Sequence, residues 1–296
     1  MRLFGPPRDV EPTSRGSSRR SLLRRWRDLR AQEGARAALI AMASTVVFFT
    51  VVVWAVLSSP TWPKVQKQFF SGAHFAQVWP DVLAGFWLDV KMFLVAEVLI
   101  LVISLIIAVT RSLQGPVFFP LRILAVGYTD LIRGIPLLLL LLLLGFGVPA
   151  LGLHGVPSSP VFWAVASLVI SYSAYTAEVY RAGIESVHPS QRAAARSLAL
   201  SQGQAMRYVV LPQAVRNVIP PLLNGFVSLQ KDVALVSILG AREAVREAQI
   251  YAALNFNNTG LVAAALLFLA VSVPLARFTD WYSDRDRRRR SSGMLV

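Results

Sequence analysis

The chain has 296 residues, of which 55% are hydrophobic and only 16% are charged, and its net charge is +14. Soluble globular proteins are about 25% charged, so this composition predicts a membrane protein with several spans. The chain has no cysteine, which excludes disulfides, cysteine-ligated zinc and thiol catalysis. A strongly basic chain fits either nucleic acid or a membrane surface, and the placement of the arginines decides between them.

Six apolar stretches are long enough to cross a bilayer. About 20 apolar residues in a helix span the hydrocarbon core. The third stretch is longer than the others and carries Arg133, Gly134 and Pro136 in its first half. The sequence therefore predicts an all-α integral membrane protein with six transmembrane helices, at residues 37–57, 92–110, 121–151, 161–180, 215–240 and 261–278.

The arginines lie on one side of these predicted spans. They are concentrated in residues 1–36, in 183–214 between the fourth and fifth spans, and in the tail 281–296. The loop 145–160 on the other side has no Lys or Arg. The positive-inside rule therefore predicts that both termini are cytoplasmic, so the basic excess requires no nucleic acid. We expect the first part of the N-terminal segment to be disordered, because it has few apolar residues.

A polar, helix-prone segment separates the fourth and fifth spans. Ser190 is expected to cap a short helix that runs through Leu200. Ser201 and Gln204 have the spacing of a capping box, which predicts a second short helix to Val210. Two short helices would form a compact cytoplasmic knob. An amphipathic segment that lies among the lipid headgroups and is held there by arginines is the alternative.

Charged residues inside spans are costly and mark functional candidates. Arg133 is predicted either to bind the carboxylate of a substrate or to pair internally with Asp130 or Glu178. Glu178, near the end of the fourth span, is predicted either to bind a substrate ammonium or to pair with Arg181 one turn later. The internal pair is favoured for Glu178 because that partner has helical i,i+3 spacing.

The fifth span holds three further polar candidates, Asn224, Lys231 and Asp232. Lys231 and Asp232 are adjacent, so their side chains point in different directions from a helix and are expected to serve different partners. Glu97 in the second span is either a pathway residue or an ion-pair partner of Lys91 or Lys231. The tentative substrate pathway therefore comprises Arg133, Glu178, Asn224, Lys231 and Asp232.

Catalysis and metal binding find no support in the sequence. The chain has no G-x-x-x-x-G-K-[ST] motif, so it cannot hydrolyse ATP through a P-loop. Its three histidines are scattered and lack the spacing of metal ligands. We expect no metal, no cofactor and no enzymatic activity of this chain alone.

The polar segment resembles the signature of a known family, the transmembrane subunits of bacterial ABC importers of the polar amino acid type. That signature has the pattern E-A-A-x3-G-x9-I-x-L-P. The stretches "RGIPLL", "AYTAEVYRAGIESV" and "LPQAVRNVIPPLLN" also resemble the amino acid subgroup, and the resemblance covers about Gly85 to the end of the sixth span. The signature positions are occupied by Ala193, Ala194, Ala195, Ala199, Val209, Leu211 and Pro212.

Three features depart from the family pattern. Ala193 replaces a glutamate, which at the third helical position after Ser190 would close a capping box. Ala199 replaces a glycine, which would ease a positive φ between the two helices. The span 37–57 is an extra N-terminal anchor before the five-helix type I importer core, which is expected at 85–280 with its coupling loop at 183–214.

The resemblance implies a permease subunit in a bacterial plasma membrane. It implies ATP-binding partner subunits, an extracytoplasmic substrate-binding protein, a second permease copy or a sister permease, and lipid, with ATP used by the partner. An ion-gradient-driven secondary transporter and a membrane scaffold without transport activity are the alternatives. The residues implied to couple to the ATPase are Ala193, Ala194, Ala195, Leu198, Ala199, Leu200, Ser201, Leu211 and Pro212.

Overall fold

The structure, a computed structural model, describes residues 15–113 and 115–293, and the side chains within 36–113 and 115–288. Within these residues the secondary structure is helical, without a β-strand. The α-helices are α1 (Arg15–Leu57), α2 (Trp62–Phe69), α3 (Gly72–Ser112), α4 (Phe119–Arg133), α5 (Leu137–Leu142), α6 (Val148–Ala150), α7 (Pro160–Glu185), α8 (Pro189–Ser197), α9 (Gln202–Ala205), α10 (Leu211–Asp232), α11 (Ala244–Asn255) and α12 (Thr259–Gly293).

Among the described residues, five helices are long and apolar enough to cross a membrane, and a bent pair of helices raises the number to six. This confirms the all-α membrane class. Four of the spans are clearly longer than predicted, because their helices continue past the apolar stretch into polar residues. The spanning helices are Arg36–Leu57, Trp62–Ser112, Pro160–Glu185, Gln202–Leu239 and Thr259–Arg288.

The third predicted span, 121–151, is wrong as one continuous helix. The chain bends by 104° between Pro116–Arg133 and Leu137–Ala150. Pro136 has no backbone N–H and disfavours a helical residue before it, and Gly134 weakens the same turn. The break therefore places Arg133 at the C-terminal end of α4, where no further helical turn follows it.

Residues 1–64 and 65–296 form two separate compact units. In the first unit α1 begins at Arg15, so most of the basic segment predicted at 1–36 is helical. The expected disorder at its start falls on residues 1–14, which lie outside the described residues.

In the second unit α3 is the central helix, and it packs against α7, α11 and α12, while α7 also packs against α4 and α10. Its core is apolar and includes Ile100, Leu141, Leu168 and Leu229, which come from α3, α5, α7 and α10. Four helices are therefore held around one continuous apolar core.

The start of α11 has a buried N-cap carboxylate and a close backbone contact with α3. Glu243 is fully buried and accepts hydrogen bonds from the backbone N–H groups of Val245 (2.8 Å) and Arg246 (2.7 Å). Burial raises the pKa of the Glu243 carboxyl above its ordinary value. A Cβ at Gly85 would lie 2.6 Å from the backbone carbon of Glu243, so only glycine allows this approach.

Candidate functional site

The first helix of the polar segment begins two residues earlier than predicted. α8 starts at Pro189, and its N-cap is His188, whose ring nitrogen Nδ1 accepts from the backbone N–H of Ser190 at 3.2 Å. The prediction that Ser190 caps this helix is therefore wrong. Ala193 is the fifth residue of α8, so a glutamate there would not close a capping box, and that interpretation is corrected too.

The C-terminus of α8 has the two hydrogen bonds of a Schellman motif. The backbone N–H of Leu200 donates to the carbonyl of Ala195 (3.1 Å), and that of Ala199 donates to the carbonyl of Arg196 (2.9 Å). Ala199 has φ +58°, the left-handed conformation that glycine adopts most easily. The helix thus ends at Ser197 and not at Leu200, and Ala199 adopts the positive φ that a glycine would ease.

The second helix of the segment begins at a capping box, as predicted. Ser201 Oγ accepts from the N–H of Gln204 (3.3 Å), and Gln204 Oε1 accepts from the N–H of Ser201 (2.9 Å). The helix does not end at Val210. It passes through a π-helical turn, Met206–Val210, into α10, and Pro212 lies in the first turn of α10 where a missing N–H costs little. The helical chain is continuous over Gln202–Leu239.

These two helices form a compact knob, defined here as residues 188–212. Val210 and Ala214 are buried together with Val187 and pack against Ile184 at the end of α7. The packed core favours the knob over a segment that lies flat among headgroups. Of the nine predicted coupling residues, Ala195 is buried and Leu200 half-buried, whereas the exposed ones are Ala193, Ala194, Leu198, Ala199, Ser201, Leu211 and Pro212.

Leu198 is the most exposed leucine of the knob, with 76% of its surface accessible. It occupies the C-cap of α8, directly before the left-handed turn, so the Schellman motif fixes its position. A single exposed leucine is common on protein surfaces, so the docking role of Leu198 is inferred from its place in the coupling segment.

Glu178 forms the centre of a charged cluster that joins three arginines. It pairs with Arg111 from the end of α3, with Arg181 at 2.7 Å and, more loosely, with Arg133 at 3.9 Å. Arg111 also donates to Thr129 Oγ1 at 2.8 Å. The predicted pair of Glu178 with Arg181 is confirmed. Arg111 could not be assigned to this cluster from the sequence, because it is 67 residues from Glu178.

Arg133 is 42% exposed and is not fully engaged in this cluster. Its guanidinium lies 5.8 Å from the centre of the Tyr175 ring, and its backbone carbonyl accepts from the Tyr175 hydroxyl at 3.1 Å. Among the described residues it forms no ion pair with Asp130 within 4 Å. Its N–H groups therefore remain available for a further carboxylate.

A cavity of about 360 Å³ lies between α3, α7 and α10. Asp232 lies at its edge and accepts from the Tyr172 hydroxyl at 2.6 Å. Of the five predicted pathway residues only Asp232 lines this cavity, whereas Arg133 and Glu178 belong to the charged cluster, and Asn224 and Lys231 are exposed outside the cavity. The lining residues are Glu97, Ile100, Leu101, Leu137, Ser171, Tyr172, Tyr175, Thr176, Val179, Pro221, Leu222, Gly225, Phe226, Ser228 and Asp232.

Comparisons with known proteins agree with this architecture. Residues 101–288 match the family described as "Binding-protein-dependent transport system inner membrane component". The chain is 35% identical over 196 residues to the probable glutamine ABC transporter permease protein GlnM of Bacillus subtilis (strain 168), which covers 65% of this chain and 88% of that protein. It is 30% identical over 190 residues to the arginine transport system permease protein ArtQ of the same organism, covering 64% and 84%.

Two solved structures have similar folds. A crystal structure of an amino acid ABC transporter with histidines aligns with a TM-score of 0.67 at 30% identity, covering 73% of this chain and 98% of that chain. An inward-facing structure of the MetNI methionine ABC transporter aligns with a TM-score of 0.56 at 18% identity, covering 70% and 96%. The second likeness shows the fold alone.

Proposed function

Because the chain belongs to the family of binding-protein-dependent transport system inner membrane components, we propose that it is the permease subunit of an ATP-driven amino acid importer. Its relatives include permeases named for glutamine and arginine. The subunit would carry an amino acid or a close analogue across the bacterial plasma membrane, with both termini and the knob in the cytoplasm.

One observation carries the coupling proposal, namely that the second helix of the knob and the fifth span form one continuous helix from Gln202 to Leu239. A force applied to the start of α9 therefore reaches the cavity-lining part of α10 without crossing a loop, and Leu198 is joined to α9 by the short turn that contains Ala199. Closure of an ATP-binding dimer against the knob would move α10 as a rigid body and change access to the cavity.

The substrate would pass through the cavity between α3, α7 and α10. Two carboxyl groups, Glu97 and Asp232, and several hydroxyl groups supply polar contacts in a lining that is largely apolar. Arg133 lies outside this lining, 5.8 Å from the centre of the Tyr175 ring, and its partly exposed guanidinium is the proposed partner of the substrate carboxylate. Glu178 would act structurally, since Arg111 and Arg181 already occupy both of its oxygens.

The proposal assigns ATP hydrolysis to partner subunits. The chain has no P-loop sequence, and members of its family are transmembrane components that work with a binding protein. The expected assembly contains two ATP-binding subunits, a second permease copy or a sister permease, and an extracytoplasmic substrate-binding protein.

Reconstitution in liposomes tests this function. The chain is co-purified with its ATP-binding subunit and supplied with the binding protein, and labelled amino acid is followed into the lumen. We expect uptake that requires ATP on the knob side and continues after the ion gradients are collapsed with ionophores. Uptake that needs an ion gradient and ignores ATP would instead support a secondary transporter.

A further inference from the structure

The cavity between α3, α7 and α10 carries two carboxylates and no basic side chain. Glu97 contributes from α3, and Asp232 contributes from the last residue of α10. The other lining groups are aliphatic, aromatic, hydroxyl or backbone groups. In a low-dielectric setting, two like charges without a counter-ion favour a cationic guest.

Glu97 is not held in an ion pair. Within the described part of the chain, none of the ion pairs closer than 4 Å includes it. Lys91, one of its two predicted partners, lies 5.8 Å from the ring of Trp87, and Lys231, the other, is exposed outside the cavity. The carboxyl group of Glu97 is half-buried at the cavity wall and is free to bind a ligand.

Asp232 is oriented by a hydrogen bond and, among the described residues, has no ion-pair partner within 4 Å. The Tyr172 hydroxyl donates to its Oδ2 at 2.6 Å, which fixes the carboxyl group. Tyr172 and Tyr175 both line the cavity, and an aromatic face attracts an ammonium or guanidinium group. The carboxyl groups and aromatic rings that line this cavity are therefore suited to bind a cation.

The size of the cavity suits one amino acid. Tyr175 lines the cavity, whereas Arg133, whose guanidinium lies 5.8 Å from the centre of the Tyr175 ring, lies outside its lining. A volume of about 360 Å³ is at the small end of the ~300–1,000 Å³ typical of ligand sites, so it holds a single amino acid.

We propose that this cavity selects amino acids with a cationic side chain and that Glu97 is the residue that determines this specificity. The inference rests on the proposed function, because it assigns the charge class of the substrate carried by that same pathway. A neutral amino acid of similar length would leave the Glu97 carboxylate without a counter-charge, which weakens its binding.

The proposal is tested by measuring amino acid binding to the complex of this chain with its ATP-binding subunit. The complex is kept in detergent and the binding protein is left out, so that only the membrane site contributes to binding. The probes are L-arginine, L-lysine, L-glutamine and L-glutamate, measured by titration calorimetry. We expect arginine and lysine to bind at least about tenfold more tightly than glutamine, since a hydrogen bond to a charged group is worth a factor of roughly ten or more.

Three variants provide the controls. Glu97→Gln keeps the shape and removes the charge, and we expect it to weaken arginine binding about ten- to hundredfold while changing glutamine binding little. Glu97→Asp keeps the charge and should retain the preference for arginine. Asp81→Asn removes a carboxylate from the exposed face of the same helix, and its arginine affinity should equal that of the wild type.

Two results would overturn the inference. Equal affinity of the wild type for arginine and glutamine, or an unchanged arginine affinity in Glu97→Gln, would contradict the selection for cationic amino acids. The proposed function would still hold in that case if the complex took up a neutral amino acid with ATP. If the wild-type complex neither binds nor transports any amino acid, the proposed function fails together with the inference.

Discussion

The substitution Leu198→Asp distinguishes a role of this side chain in docking to the ATP-binding subunit from a role in folding. Leu198 is 76% exposed, so the substitution should change the free energy of unfolding by no more than about 0.5 kcal/mol. Burying a leucine side chain contributes about 1.5–3 kcal/mol. In the isolated chain most of this stabilisation is absent, because Leu198 is exposed. If Leu198 enters a groove on the ATP-binding subunit, Leu198→Asp loses about 1–2 kcal/mol of apolar burial and adds about 1–3 kcal/mol for a desolvated carboxylate.

The sum, about 3 kcal/mol, corresponds to roughly a hundredfold weaker association. The assay is co-elution of the purified chain with its ATP-binding subunit in detergent, titrated to obtain a Kd. Leu254→Asp is the matched control, because Leu254 is also a leucine with 75% exposure but lies on α11, away from the knob. Leu200→Asp is a poorer probe, since Leu200 is half-buried and its substitution also disturbs the knob.

An equal Kd for wild type, Leu198→Asp and Leu254→Asp would refute the assignment of Leu198 to the docking surface. A loss of monodispersity in Leu198→Asp alone would refute the claim that the side chain contributes little to folding. The two readouts are independent, so a single set of samples decides both.

Three other substitutions test separate parts of the structure. Ala199→Gly relieves the strain of a left-handed alanine (φ +58°), which at about 1–2 kcal/mol exceeds the entropy cost of glycine. We therefore expect about two- to fivefold slower hydrogen exchange at the Leu200 amide. Faster exchange would contradict the assigned turn. Gly85→Ala brings a Cβ within 2.6–2.8 Å of backbone atoms at the start of α11 and should lower the free energy of unfolding by about 1–3 kcal/mol. Gly127→Ala is the control, because its Cβ would meet nothing within 4 Å, and it should not lower the melting temperature. Arg133→Ala should abolish uptake in liposomes while the complex still assembles, and wild-type uptake would show that Arg133 is only structural.

Short-range features of this fold were predictable from the sequence because their determinants are close in the chain. The Ser201–Gln204 capping box and the Glu178–Arg181 pair each join residues three apart. The family pattern has a glycine at the position of Ala199, and Ala199 keeps the positive φ that glycine would ease.

Other features depend on contacts between distant residues or on backbone geometry without a sequence marker. Arg111 reaches Glu178 only because α3 and α7 pack side by side. The π-helical turn at Met206–Val210 accommodates Pro212 and keeps the helix continuous, which proline alone would not suggest. Glu97 could be assigned to the cavity only once α3, α7 and α10 were placed around it.

The most direct test of the central claim is a mild-detergent pull-down of the tagged full-length chain from its native membrane, with the bound partners identified by mass. The account predicts recovery of a P-loop ATPase in stoichiometric amount, lost in Leu198→Asp and retained in Leu254→Asp. Recovery of the chain without any ATPase, still folded and able to move an amino acid in liposomes under an ion gradient, would contradict it.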